Sequence, residues 1–99
     1  MKYTQVRSFH AVAKAGSFTG AAKELNVSQP TVTEQVRELE ATYGIEVFNR
    51  AKRKVKLTTT GRSLFEITQR LFSVVGETET FLRAAGDGVL APGLAVAQV

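Results

Sequence analysis

The sequence predicts a mainly α fold: three short helices, a two-stranded β-hairpin and a long fourth helix. Three observations carry that reading. Three early segments repeat apolar residues at helical spacing, and each closes on a glycine or asparagine suited to a left-handed stop. Two β-prone runs then flank a basic tip, and after them a three–four apolar repeat extends from Leu64 to Ala85.

The first helix is expected from Thr4 to Ala15, with Thr4 accepting a bond from a first-turn amide. Val6, Phe9, Val12 and Ala13 make its apolar face, and Gly16 ends it. His10 falls between core positions. With no second ligand near it, it reads as a packed or solvated histidine rather than a metal ligand. The second helix is expected over Phe18–Leu25, capped by Ser17 and ended by Asn26, with Ala21, Ala22 and Leu25 buried. The third is expected over Gln29–Tyr43. Ser28 caps it, Pro30 sits in the first turn where a missing amide costs little, and Gly44 ends it. Its apolar stripe is Val32, Val36, Leu39 and Tyr43. Only Asn26, Val27 and Ser28 separate the second and third helices, which is the helix-turn-helix pattern.

Ile45–Arg50 and Val55–Thr58 read as the arms of a hairpin around Ala51–Lys54. Five of the seven residues from Arg50 to Lys56 are basic, so the hairpin would form a cationic wing beside the third helix. The fourth helix is expected over Thr59–Ala85 with Thr58 as its cap. Leu64, Ile67, Leu71, Val74, Val75 and Phe81 give it more apolar surface than so small a domain can cover. Its early part would pack on the first three helices and its later part on a second copy. Gly86, Gly88, Pro92 and Gly93 break it, and Leu94–Val99 is β-compatible. The division expected is 1–60 for the winged helix-turn-helix, 61–86 for a dimerisation helix and 87–99 for a tail.

The chain has 99 residues and a net charge of +4 that is unevenly spread. Residues 1–62 hold eleven Lys and Arg against five Asp and Glu, whereas residues 63–99 hold two against four. The first part suits a polyanionic partner. Cysteine is absent, histidine occurs once, and no Gly-rich phosphate loop is present. Glu38 and Glu40 do not share a helix face. An enzyme is therefore not expected, nor a cofactor, nor a zinc site. No apolar run is long enough to span a membrane and the start lacks a secretory pattern, which with the missing cysteines suits the cytoplasm. Two other readings stand beside DNA binding: a winged helix that binds protein, which the lysines of the wing oppose, and a short form that pairs with a longer regulator.

Three motifs resemble the N-terminal region of LysR-type transcriptional regulators, in order and spacing. They are Phe9-His10-Ala11-Val12-Ala13-Lys14-Ala15-Gly16-Ser17-Phe18-Thr19-Gly20-Ala21-Ala22, then Val27-Ser28-Gln29-Pro30-Thr31-Val32-Thr33-Glu34-Gln35-Val36-Arg37-Glu38-Leu39-Glu40, then Val47-Phe48-Asn49-Arg50 with Val55-Lys56-Leu57-Thr58-Thr59-Thr60-Gly61. The resemblance covers residues 1 to about 90. It implies a cytoplasmic bacterial regulator that dimerises through its linker helix, forms tetramers in a full-length protein, and binds interrupted palindromes near promoters. It also implies a metabolite-sensing domain beyond Val99, so that this chain is a fragment with no small-molecule effector of its own. The family commonly carries basic residues where this sequence has Glu34 and Gly20.

The third helix is expected in the major groove, where each base pair presents its own donor and acceptor pattern. Gln29, Pro30 and Thr31 stand at its exposed start; Thr33, Glu34 and Arg37 lie opposite the apolar stripe. Gln29 suits adenine, Thr33 the thymine methyl, and Arg37 guanine or phosphate. Glu34 has two readings: it accepts a bond from cytosine, or it pairs with Arg37 or Lys23 away from the groove. Ser17 and Thr19 stand where they can meet the DNA backbone. Arg53 is expected in the minor groove, with Arg50, Lys52, Lys54 and Lys56 neutralising phosphates. The resemblance adds Gln35 and supports Gln29, Pro30, Thr33 and Arg53.

Overall fold

The computed structural model describes residues 1–50 and 54–88. The chain divides into two compact units, Met1–Gln69 and Arg70–Val99. The elements in order are α1 (Tyr3–Ala15), α2 (Phe18–Leu25), α3 (Gln29–Tyr43), β1 (Phe48–Asn49), β2 (Lys56–Leu57) and α4 (Thr59–Gly86). This is a mainly α winged helix-turn-helix followed by a long helix. Lys52 and Arg53 of the wing tip and the Leu94–Val99 segment lie outside the described residues.

The boundaries of α2 and α3 follow from their caps. The Gly20 amide donates to Ser17 Oγ at 2.9 Å, and the Thr31 amide donates to Ser28 Oγ at 3.3 Å. Each such cap is worth about 1 kcal/mol. Asn26 takes the left-handed conformation that closes α2, at φ 57°. The start of α1 differs from expectation. Thr4 lies inside the helix and Lys2 is the cap residue. The Lys2 amide donates to Gln5 Oε1 at 3.2 Å, so a glutamine reaching back takes the place of the threonine. The strands pair antiparallel, Phe48 with Leu57 and Asn49 with Lys56, and are shorter than the β-prone runs that contain them.

The core of the first unit joins Phe9 and Val12 of α1, Ala21 of α2, Val32, Val36 and Leu39 of α3, and Val47 and Phe48 at the wing root. The Phe48 ring lies 5.3 Å from that of Phe9 and meets Phe18 edge-on at 5.7 Å, so the wing root is bolted into the helical core. Small Ala21 and Ala22 let the helices approach closely. Tyr43 departs from its expected place in the α3 stripe: it is 53% exposed at the end of the helix, next to the Gly44 cap. Leu64 and Phe65, early in α4, pack against this core.

His10 joins α1 to α4 within the first unit. Its Nδ1 lies 2.8 Å from the hydroxyl of buried Thr68, and its ring lies 5.3 Å from that of Phe65. Burial, and secondarily the Lys14 ammonium, lower its pKa from the ordinary value, with Glu24 opposing. The folded state therefore binds fewer protons here than the unfolded chain. The stability that this contributes is full above the unfolded-state pKa, about 6.5, and falls as pH drops below it. His10→Asn, which keeps a polar group near the Nδ1 position, is expected to flatten that acid-side loss. Urea midpoints at several pH values from neutral downward check it; an unchanged slope would exclude His10 as its source.

In the second unit, the described part of α4 leaves apolar side chains uncovered. Leu71 is 40% exposed, Val74 57%, Phe81 41% and Leu82 60%, while Val75 is half-buried. No helix among the described residues is long and apolar enough to cross a membrane.

Candidate nucleic-acid interface

Packing of Val32, Val36 and Leu39 into the core determines which side of α3 faces out. Gln29, Pro30, Thr31, Glu34 and Arg37 are exposed, and Thr33 is half-buried. Around the helix start the polar groups are already organised. Thr19 Oγ1 donates to Gln29 Oε1 at 3.2 Å, linking the first turn of α2 to the start of α3. Thr31 Oγ1 lies 2.7 Å from the capping Ser28 hydroxyl. Ser17 is half-buried and acts as the cap of α2.

The structure places the other expected site residues as follows. Gln35 is half-buried and its side-chain carbonyl accepts a bond from the buried Ser8 hydroxyl, so it braces α3 on α1. Glu34 is exposed and forms no ion pair with Arg37 or Lys23. Its side chain is accessible from solvent. Gly20 has a steric reason to lack a side chain: a Cβ there would lie 2.9 Å from Ser17 Oγ and 3.1 Å from Ala15 Cβ. Lys54 and Lys56 are exposed on the returning arm of the wing. Leu64, expected at a contact between copies, is half-buried against its own domain's core, whereas Ile67 is 53% exposed.

Arg50 is exposed but pairs with Glu40. Its Nη1 lies 2.9 Å from Glu40 Oε1, and the Val47 amide donates to Glu40 Oε2 at 2.8 Å. Glu40 is buried and was missed from the sequence, where it entered only as a glutamate that does not share a helix face with Glu38. Its sequence signal is faint: a carboxylate directly after stripe residue Leu39, with an arginine beyond the next turn. Among the described residues no cluster of three potential metal ligands exists.

Comparison with known proteins agrees with this geometry. The family of bacterial regulatory helix-turn-helix proteins of the lysR type matches residues 3–62. The HTH-type transcriptional regulator TcbR of a Pseudomonas species is 39% identical over 88 residues, which is 89% of this chain and 30% of that protein. This chain thus spans about a third of the length of the curated relatives it matches. The DNA-binding domain of BenM, crystallised with a catB-site DNA, is similar in structure with a TM-score of 0.77 and 31% identity, covering 87% of this chain and 97% of that one. The CbnR DNA-binding domain in its DNA complex has a TM-score of 0.71 and 38% identity, covering 87% and 99%. With the fold, the capped helix pair and the match over residues 3–62 in agreement, this chain belongs to the LysR family of bacterial transcriptional regulators.

Proposed function

We propose that this chain binds double-stranded DNA sequence-specifically as the reading end of a bacterial, cytoplasmic LysR-type regulator. The observation that carries the reading is that the polar outer face of α3 and Lys54 and Lys56 of the wing are all exposed within the same packed unit. It fits a major groove beside a phosphate backbone. The similarity to two domains crystallised with DNA supports the same assignment. In this reading α3 lies in the major groove, Gln29, Pro30, Thr33, Glu34 and Arg37 face bases or phosphates, and the wing follows the backbone and minor groove. Residues 1–60 read DNA and 61–86 join two copies, so the target is an interrupted palindrome matching the two-fold symmetry of a homodimer. Longer members of the family carry the effector-sensing and tetramer-forming parts; no small molecule is assigned to residues 1–99.

Selection from randomised duplexes tests sequence-specific reading, and Glu34 sharpens the test. A carboxylate on the outer face of α3 with no ion pair among the described residues suits the cytosine amino group, an interaction that discriminates by about 1–3 kcal/mol. Glu34→Arg is therefore expected to change the selected half-site at one position. An unchanged half-site with higher affinity for every duplex would show that Glu34 is only tolerated. Failure of the wild-type chain to enrich any sequence would contradict specific reading altogether.

A further inference from the structure

Three elements meet at Arg50. It follows β1 directly, and its guanidinium lies between the Glu40 carboxylate of α3 and the Phe18 ring that opens α2. Nη1 stands 2.9 Å from Oε1 and 3.2 Å from Oε2 of Glu40, and the guanidinium carbon is 5.7 Å from the Phe18 centroid. The same carboxylate accepts the Val47 amide at 2.8 Å. Glu40 thus holds the outgoing strand on both sides, by the backbone just before it and by the side chain just after it.

Burial decides what Arg50 is free to do. The Glu40 side chain is 10% exposed and Arg50 is the cation bonded to it. Moving Arg50 onto a phosphate would leave a buried carboxylate uncompensated, which is costly. Lys54 and Lys56 are exposed and carry no ion pair among the described residues, so they can neutralise phosphates at no such cost. The charge that Arg50 adds to the basic run is already paired with the Glu40 carboxylate.

We propose that Arg50 is a positioning residue and not a DNA ligand: the Glu40–Arg50 pair is a strut that fixes the wing against α3, so that the wing lysines and the outer face of α3 meet one duplex in register. The proposal rests on the reading that the chain binds duplex DNA. It extends that reading by giving a basic residue of the wing an internal role and by making buried Glu40, which touches no DNA, a determinant of affinity.

The test uses Glu40→Gln, Arg50→Gln and the double variant, each first shown by circular dichroism to unfold cooperatively. Binding of a labelled duplex carrying the wild-type-selected site is followed by fluorescence anisotropy. The strut predicts that each single variant binds about tenfold more weakly, and that the double variant is no weaker than the worse single one, because all three lack the same connection. The half-site selected by α3 stays the same. A direct phosphate contact by Arg50 predicts the opposite sign for Glu40→Gln, since the substitution releases the guanidinium to the DNA. Tighter binding by Glu40→Gln, additive losses, or lowered melting temperatures with unchanged affinity would each overturn the proposal. A second measurement needs no DNA: the backbone amide resonances of Lys54 and Lys56 should shift alike in both single variants, and unmoved resonances overturn the strut. Wild-type protein that bound no duplex would refute the functional reading, while the strut would still stand or fall on those resonances.

Discussion

Gly61→Ala is expected to destabilise the first unit by about 3 kcal/mol or more, a large share of what a small domain has. A Cβ at Gly61 would lie 2.0 Å from the Val47 carbonyl oxygen and 3.0 Å from Leu57 Cδ2. That oxygen cannot easily move aside. It accepts the Thr58 amide at 3.0 Å, and Thr58 Oγ1 both donates to the Glu46 carbonyl at 2.7 Å and caps α4 through the Gly61 amide at 2.9 Å. The start of α4 and the root of the wing are therefore joined at van der Waals distance, and any displacement breaks the cap or the strand connection. Urea denaturation followed by helical signal measures the loss. A midpoint equal to that of the wild type would mean that the close approach does not exist in solution.

Phe81→Asp is expected to weaken self-association by about 10²- to 10⁴-fold. Phe81 is 41% exposed, with Leu71, Val74 and Leu82 also uncovered on the described part of α4. The proposed homodimer covers this face. Burying a phenylalanine stabilises by about 1.5–3 kcal/mol, and a two-fold interface contains each substitution twice, which together give that range. Sedimentation equilibrium at micromolar concentration should show a wild-type dimer and a variant monomer. A monomeric wild type, or a dimer indifferent to the substitution, would remove α4 from the assembly.

Features set by neighbouring residues were legible in the sequence; those set by distant ones were not. The ends of α2 and α3 could be read because Ser17, Asn26, Ser28 and Gly44 adjoin the turns they shape. The start of α1 was misplaced because Thr4 is a good cap by type, yet Gln5 reaches back to the Lys2 amide and makes a cap out of a lysine position. Tyr43 continued the apolar spacing of α3, but spacing does not tell where the partner surface ends. At the site, the outward set Gln29, Pro30, Thr31, Glu34 and Arg37 followed from the stripe opposite it. Gln35 and Arg50 did not, since their partners Ser8 and Glu40 lie 27 and 10 residues away, out of reach of a local pattern. Glu40 could not be recognised as buried until α3 and the wing root were placed together.

Binding of duplex DNA as a function of salt tests the central claim most directly. Affinity of the wild-type chain should fall linearly on logarithmic axes as salt rises, with about 0.9 of slope for every phosphate neutralised. Changing Lys52, Lys54 and Lys56 to alanine should weaken binding to all sequences alike and flatten the slope by about 0.9 for each phosphate left without its lysine. Affinity and slope that both stay at the wild-type value in the triple variant would contradict a DNA-binding surface built from α3 and the wing.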